Sequence, residues 1–356
     1  IEDRMTELKM AGSITNFTTT RKNLPAALEL VFDAMHNSIM PQDEFDQFKK
    51  QMQVMIESMR DKPDALAQNA ITQHFNTYPK GDPRYEYSLD ESLEQLNKLT
   101  VDQVRAFYKE FGGTSRGEIS IVGDFDPKAV EKIIRNDYAK YVSKAHYAPV
   151  VTEYRPVKAT RVVIDTPDKE NAIIVARSVF PINDTAPDAP ALTVANWILG
   201  GGTGLSNRLI ERLRQKEGLS YGAGSHVRIP AKGNNGSFVF RAIVAPQNML
   251  QAEASARDVI AKAIKDGFTD QEVEEAKKGL LQAMQVARSQ DDVVARSWND
   301  KMENQRTWAF SKKQAEAISK LTTADVNAAL RKYIKPDEIT FVLAGDQKKA
   351  AQKKQD

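Results

Sequence analysis

Apolar residues in the second half of the chain follow two different spacings. Short stretches rich in valine and isoleucine predict strands, and longer stretches with an apolar residue every three or four positions predict helices. The predicted strands are 161–166, 172–179, 219–229, 237–244 and 338–345. The predicted helices are 188–199, 205–217, 247–266, 270–287, 290–305, 312–319 and 323–333. Strands grouped at both ends with helices between them indicate an α+β fold, in which a mainly antiparallel sheet packs against helices.

The first half of the chain contains many helical patterns and few strand patterns. The predicted helices are 1–10, 24–39, 42–60, 64–77 and 101–110, and the predicted strands are 13–20 and 117–123. Counterparts of the strands at 161–166 and 172–179 are missing from this half. A sheet without them exposes its edges, which natural domains avoid. We therefore expect a first domain that is truncated at its N-terminus.

Several short sequences recur in the same order along the chain. Lys98-Leu99-Thr100 recurs as Lys320-Leu321-Thr322, Gly123-Asp124 as Gly345-Asp346, and Lys49-Lys50 as Lys277-Lys278. The distance between the copies is far longer than the unit of a solenoid, so we expect two copies of one domain type. The expected boundaries are a first domain at 1–145, a linker at 146–160 around Pro149 and Pro156, and a complete second domain at 161–356.

Composition excludes several classes of function. Charged residues make up 28% of the chain, but the formal net charge is only +2, which argues against a nucleic-acid surface. The longest apolar run is far shorter than the ~20 residues that span a membrane. There are no cysteines, so disulfides and thiolate metal sites are excluded. None of the four histidines has a histidine or a carboxylate three or four positions further on, so we expect no metal site in this chain.

The glycine run that begins at Gly200, Gly201 and Gly202 resembles a phosphate-binding loop only superficially. It lacks the Gly-Lys-Ser/Thr of a Walker motif, and it joins two helices rather than a strand and a helix. We expect a tight reversal, with Thr203 or Ser206 capping the next helix. Glycines also allow a partner's backbone to come close, so these three glycines are candidate substrate-binding residues as well.

Arg214 and Tyr221 are the strongest candidates for chemistry. Arg214 falls in the last turn of a helix, Gly218 is placed to end that helix, and Tyr221 opens the next strand. A guanidinium and a phenol that converge are donors of the type that polarises a carbonyl. The alternative is a local cation–π or packing contact between the two side chains. The neighbouring cations Arg208, Arg212 and Lys216 are expected to form a solvated surface.

The segment from Leu205 to Ser225, with its Leu-Arg-x-Lys-x-Gly-Leu-x-Tyr pattern and the glycine run before it, resembles the C-terminal half of the insulinase/pitrilysin-type zinc peptidases, the M16 family. The resemblance extends along nearly the whole chain and includes the tandem repeat. It implies a two-half chamber in which one half holds zinc through two histidines and a glutamate. The other half would contribute Arg214 and Tyr221, which bind the backbone of a peptide substrate.

The resemblance also implies that no catalytic residue lies in this chain, and that zinc belongs to the other half, in the same parent chain or in a partner subunit. In a catalytic copy, the helix at 44–60 carries a zinc ligand among acidic residues. Here it carries Lys49 and Lys50, with only Glu57 nearby, which favours an inactive copy. Two alternatives stay open: a single-half zinc peptidase whose zinc helix lies upstream, and a scaffold subunit of the same family. The resemblance favours a periplasmic location, with the cytoplasm as the alternative.

Overall fold

A computed structural model describes residues 7–11, 14–202 and 207–352. The chain forms two compact units, and each of them combines separate segments. The first comprises Ile1–Met52, Gln95–Pro149 and Arg288–Gln305; the second comprises Gln53–Glu94, Val150–Ala287 and Arg306–Asp356. The domain boundaries expected from the sequence stay a prediction, because each compact unit combines segments that are distant in the chain.

The second unit contains a five-stranded sheet. Its strands are β3 (Arg161–Asp165), β4 (Ala172–Pro181), β5 (Ser220–Arg228), β6 (Asn235–Val244) and β7 (Thr340–Gly345). They lie in the order β3-β7-β4-β6-β5. Only the β3–β7 pair is parallel, and the other three pairs are antiparallel. The predicted mainly antiparallel sheet packed against helices is therefore confirmed.

Helices cover one face of this sheet and form the main core. They are α7 (Ala189–Asn196), α8 (Arg208–Ile210), α9 (Met249–Asp266), α10 (Asp270–Ala287), α12 (Trp308–Lys320) and α13 (Thr323–Tyr333), followed at the chain end by α14 (Gln347–Gln352). The core includes Phe238 and Phe240 of β6 and Leu330 of α13, all fully buried. Burial of large apolar side chains of this kind is the dominant stabilising term in a domain.

One helix of the second unit covers the opposite sheet face. It is α3 (Pro63–His74), whose Ala67 and Ile71 pack against Val175 of β4 and Val342 of β7. Strand β4 is consequently buried on both faces, which explains why its sequence is continuously apolar from Ala172 to Ala176.

The first unit contains a small hairpin and several helices. The hairpin pairs β1 (Glu7–Ala11) with β2 (Ile14–Thr18). The helices with residues in this unit are α1 (Leu24–His36), α2 (Gln42–Met59), α4 (Leu89–Lys98), α5 (Val101–Phe111), α6 (Pro127–Asn136) and α11 (Asp291–Glu303). Among the helices that the structure describes, none is long and apolar enough to cross a bilayer.

Two predictions for the first unit are wrong. The expected helix at 1–10 is a strand where the structure describes it, because residues 7–11 pair with β2. The expected strand at 117–123 is irregular, since a strand is assigned only when a neighbour completes its ladder, and these residues have none within the described ranges. Sequence periodicity also missed α4 and α6. Both are short helices without a wide buried face.

The recurring sequences make the same local contacts in both copies. Lys49 of α2 donates from Nζ to the carbonyl of Leu99 at 2.8 Å, and Lys277 of α10 donates to the carbonyl of Leu321 at 2.8 Å. The threonine that follows each leucine caps the next helix in a reciprocal capping box. Lys49 and Lys277 thus have the same structural role, in which each ammonium binds the carbonyl that follows a neighbouring helix.

A similar reciprocal cap begins α4. The amide of Ser88 donates to the Glu91 carboxylate at 3.0 Å, and the amide of Glu91 donates back to the Ser88 hydroxyl at 3.2 Å. Lys80 and Tyr85 also donate to this carboxylate, each at 3.0 Å. The Ser88 amide, with smaller contributions from Lys80 and Tyr85, lowers the pKa of Glu91 from 4.5 to about 2.

Candidate functional site

Arg214 and Tyr221 lie on either side of one tight chain reversal. The helix that begins at Arg208 continues to Lys216 in a wider, π-type turn. Gly218 then takes φ +61°, a left-handed conformation that glycine adopts without strain. The amide of Leu219 donates to the carbonyl of Leu213 at 2.7 Å, so the chain folds back on itself before β5 begins. This bond brings the residue before Arg214 next to the start of the strand that carries Tyr221.

A β-bulge sets Tyr221 apart from its neighbours in the strand. Ser220 is paired with Val244, and Gly222 is paired with Ile243, the next residue along β6. Tyr221 is therefore the extra residue of the bulge, and it has no partner across the ladder. Bulges redirect side chains and are frequent beside functional sites. The sequence gives no direct sign of this bulge, because an apolar pattern does not reveal a shift of one residue.

Both side chains are available to a ligand. Arg214 is exposed, and 64% of Tyr221 is accessible. Within the part of the chain that the structure describes, neither side chain makes a hydrogen bond, an ion pair or a ring contact. The alternative expectation of a cation–π contact between Arg214 and Tyr221 is therefore wrong. An unengaged guanidinium and an unengaged phenol remain beside one turn.

The other cations of the same helix have partners. Arg208 donates to Glu272 at 2.7 Å and stacks over Phe268, and its side chain is only 24% exposed. Arg212 pairs with Glu217, and Lys216 pairs with Glu211 at 2.8 Å. The expectation of a solvated surface is wrong for Arg208, because α10 approaches closely enough to pair with it. Arg214 differs from these three residues because it forms no ion pair with any residue that the structure describes.

The glycine run has a packing role in the residues that the structure describes. Gly200 lies against β5: a Cβ at this position would be 2.5 Å from Ser225 Oγ and 2.7 Å from the Ser225 amide. At Gly201 a Cβ would be 2.3 Å from the side chain of Asn196, and at Gly202 it would be 3.0 Å from the carbonyl of Trp197. The absence of side chains at these glycines therefore lets the stretch of chain after α7 pack closely against β5.

The cap of the following helix is Asn207. Its side chain accepts from the amide of Ile210 at 2.9 Å, and the helix begins at Arg208. The expected caps Thr203 and Ser206 lie outside the described residues. A further polar contact was not expected from sequence: the hydroxyl of Ser225 donates to Asn196 at 2.8 Å, which ties the helix end to β5.

The described residues do not fit a zinc site. No group of three or more histidine, aspartate or glutamate side chains comes together among them. Two of the histidines have other partners: His36 contacts Asn37 and the ring of Tyr141, and His74 contacts the carbonyl of Lys158 at 3.0 Å. Glu57 pairs with Arg60 at 3.1 Å. A zinc ion would need a different donor set.

Comparison with known proteins identifies the family. A family model described as the peptidase M16 inactive domain matches residues 98–280, just over half of the chain. The chain belongs to the peptidase M16 family. The matched region ends within α10, and it includes the glycine run, Arg214, Tyr221 and the β5–β6 hairpin.

Curated relatives of this M16 chain are distant. A non-peptidase homolog, YmxG, from Helicobacter pylori is 21% identical over 72% of this chain and 58% of its own length. An uncharacterized zinc protease of Mycobacterium tuberculosis is 24% identical over 72% of this chain and 57% of its own length. The chain therefore spans less than two thirds of the length of these relatives.

Solved structures share the fold. A peptidase M16 inactive domain from Pseudomonas fluorescens has a TM-score of 0.81 at 22% identity, and the match covers 97% of this chain and 81% of that one. A Helicobacter pylori protease has a TM-score of 0.79 at 18% identity, covering 97% and 82%. The α+β fold expected from the sequence is thus the fold of M16 inactive domains.

Proposed function

We propose that this chain is the non-catalytic half of an M16 zinc metallopeptidase, and that it binds the backbone of a peptide substrate through Arg214 and Tyr221. The proposal is carried by two exposed side-chain donors on either side of one tight chain reversal, neither of which forms a hydrogen bond or an ion pair with any residue that the structure describes. Three other cations of the same helix have acidic partners. An arginine and a tyrosine left without such partners are suited to an external acceptor.

The chemistry of the pair favours a peptide carbonyl. A guanidinium offers a fork of N–H donors and a phenol offers one O–H, and a carbonyl oxygen accepts two hydrogen bonds. The same donors stabilise negative charge that develops on that oxygen during hydrolysis. The hydrolytic groups themselves would come from a zinc-bearing half, in the same parent polypeptide or in a partner subunit. The chain alone is expected to be proteolytically silent.

Two family-level alternatives are separated from this proposal by experiment. A scaffold role has one supporting observation, since the Helicobacter pylori relative is named a non-peptidase homolog. The second alternative is a single-half zinc peptidase. It would require zinc ligands outside the described residues, which contain no suitable cluster. The periplasmic location remains a proposal, and fractionation of cells that express the parent gene tests it.

The test is turnover of an unstructured fluorogenic peptide by the full parent protein, or by the chain together with its zinc-bearing half. Arg214→Ala and Tyr221→Phe are each expected to lower kcat/KM by about tenfold to a hundredfold, since each removes a donor to the substrate oxygen. The matched controls are Lys216→Ala on the same helix and Tyr147→Phe, another exposed tyrosine. Unchanged turnover in both site variants would refute the proposal and favour the scaffold. Stoichiometric zinc binding with peptide cleavage by this chain alone would favour the single-half peptidase.

A further inference from the structure

The chain reversal that carries Arg214 and Tyr221 is irregular on both sides. On the helix side, Glu211–Lys216 forms a π-type turn, in which the amide of Glu217 donates to the carbonyl of Arg212 at 3.1 Å. Turns of this kind are rare and are frequently found at functional sites. On the strand side, Tyr221 is the extra residue of a β-bulge. Two such irregularities so close together indicate that a tertiary contact holds them in place.

Glu217 occupies a position that the helix itself disfavours. It follows Lys216, the last residue of the helix, where the carbonyl ends of the peptide units concentrate partial negative charge. The helix dipole repels a carboxylate at that end and favours a cation such as that of Lys216. Contacts from elsewhere in the fold must therefore stabilise a glutamate at this position.

Two donors hold the Glu217 carboxylate, and one of them belongs to another helix. Arg212, one wide turn earlier in the same helix, donates from Nε to Oε1. Ser255 of α9 donates from its hydroxyl to Oε2 at 2.6 Å. Ser255 is buried and the Glu217 side chain is only 20% exposed, so water competes little for this contact. The contact joins the helix end to α9, which packs in the main core of the second unit.

The contact with Ser255 lies on the side of the helix that faces the core. Leu213, four positions before Glu217, is fully buried and lies on the same face of the helix. The amide of Leu219 donates to the carbonyl of Leu213 at 2.7 Å, which closes the reversal. The last turn is therefore fixed along its inner face, and the exposed Arg214 extends from a turn that cannot rotate freely.

We propose that Glu217 is a positioning residue for the donor pair, because its contact with Ser255 fixes the turn from which Arg214 and Tyr221 extend. The inference rests on the proposed function. It adds a residue that acts through Arg214 and Tyr221 rather than on the peptide itself. A displacement of about 1 Å in a reacting geometry can cost about a hundredfold in rate, which sets the upper limit of the expected effect.

The first test is hydrogen–deuterium exchange of the chain, followed by mass spectrometry of the segment 213–222. Glu217→Ala is expected to raise the exchange rate of the Leu219 amide at least about fivefold, because the reversal opens more often. The amides of β6, a strand paired on both sides, report global unfolding and should exchange as in the wild type. The matched control is Glu211→Ala, which removes an ion pair with Lys216 within the helix itself and should leave Leu219 protected.

The second test is turnover of the fluorogenic peptide by the parent protein in a double-mutant cycle. Glu217→Ala is expected to lower kcat/KM about fivefold to twentyfold, and Ser255→Ala should reproduce part of that loss from the α9 side. Glu217→Gln keeps an acceptor for Ser255 and should recover part of the activity. In a background of Arg214→Ala with Tyr221→Phe, the Glu217→Ala loss should shrink to about twofold or less, since donors that are absent cannot be misplaced.

Three outcomes would overturn the inference. One is an unchanged exchange rate of the Leu219 amide in Glu217→Ala. Another is an equal rise in the control Glu211→Ala. The third is a Glu217→Ala loss in kcat/KM that is just as large when Arg214 and Tyr221 are already replaced, because Glu217 would then act independently of them.

The inference and the proposed function can fail separately. If Arg214→Ala and Tyr221→Phe lower turnover while Glu217→Ala changes neither exchange nor turnover, only this inference falls. If Glu217→Ala opens the reversal while Arg214→Ala and Tyr221→Phe turn over peptide normally, Glu217 still fixes the turn and the proposed function falls.

Discussion

Replacement of Gly200 by alanine tests the close packing that positions the candidate strand. The added Cβ would lie 2.5 Å from Ser225 Oγ and 2.7 Å from both Leu209 Cδ1 and the Ser225 amide. The hydroxyl can rotate away, but the amide belongs to the backbone of β5 and cannot move alone. Overpacking of this kind costs about 1–3 kcal/mol. Alanine regains up to about 1 kcal/mol in a helical turn. We therefore expect a net loss of about 1–2 kcal/mol.

Urea unfolding followed by circular dichroism measures this loss as a lower midpoint with an unchanged slope. The matched control is Gly222→Ala, in the same strand β5, where the added Cβ meets nothing within 4 Å. We expect that variant to lie within about 0.5 kcal/mol of the wild type. A Gly200→Ala protein as stable as the wild type would refute the argument, because the helix end would then have room to move. Equal losses in the two variants would refute it as well.

Three further substitutions test other contacts. Lys277→Met removes the buried ammonium that binds the carbonyl of Leu321, so we expect thermal unfolding to show a loss of about 1–3 kcal/mol in stability. The exposed neighbour provides the control, Lys278→Met, which should be nearly neutral. Asn207→Ala removes a helix cap and is expected to cost about 1 kcal/mol in urea, whereas Asn207→Ser should retain most of the stability. Glu91→Gln removes a carboxylate whose pKa is lowered to about 2. The variant should therefore show its full stability deficit relative to the wild type above pH 4.5. The deficit should shrink as the pH falls toward 2, because the wild-type carboxylate is then protonated as well. A deficit that persists at pH 2 would contradict the assigned ionic contacts.

Sequence patterns predicted the second unit more accurately than the first. The five strands and the helices at 270–287 and 323–333 were predicted to within a few residues, because a complete sheet and its helices impose clear apolar periods. In the first unit the short helix α4, which has no buried residue, was missed, and the segment at 117–123 has no neighbouring strand among the described residues. Local sequence does not specify whether a pairing partner exists.

The candidate site shows a similar division between local and distant information. The order of helix, Gly218 and strand was readable from the sequence, and so was the selection of Arg214 and Tyr221. The sequence predicts that the glycine run forms a tight reversal, with Thr203 or Ser206 capping the next helix, and both of these residues lie outside the described ranges. The packing of Gly200 on Ser225 depends on residues far apart in the chain, so no local pattern could reveal it.

The sequence by itself determined the α+β class, the recurring motifs and the residues suited to hold a carbonyl, because period, turn chemistry and donor type are local properties. Only the tertiary structure decided which cations are neutralised. Arg208 finds Glu272 and Arg241 finds Asp64, whereas Arg214 forms no ion pair with any residue that the structure describes. It also placed Tyr221 in a bulge of an outer strand of the sheet. Ion pairing and strand register depend on neighbours that folding brings together from distant parts of the chain, and for that reason they cannot be derived from spacing alone.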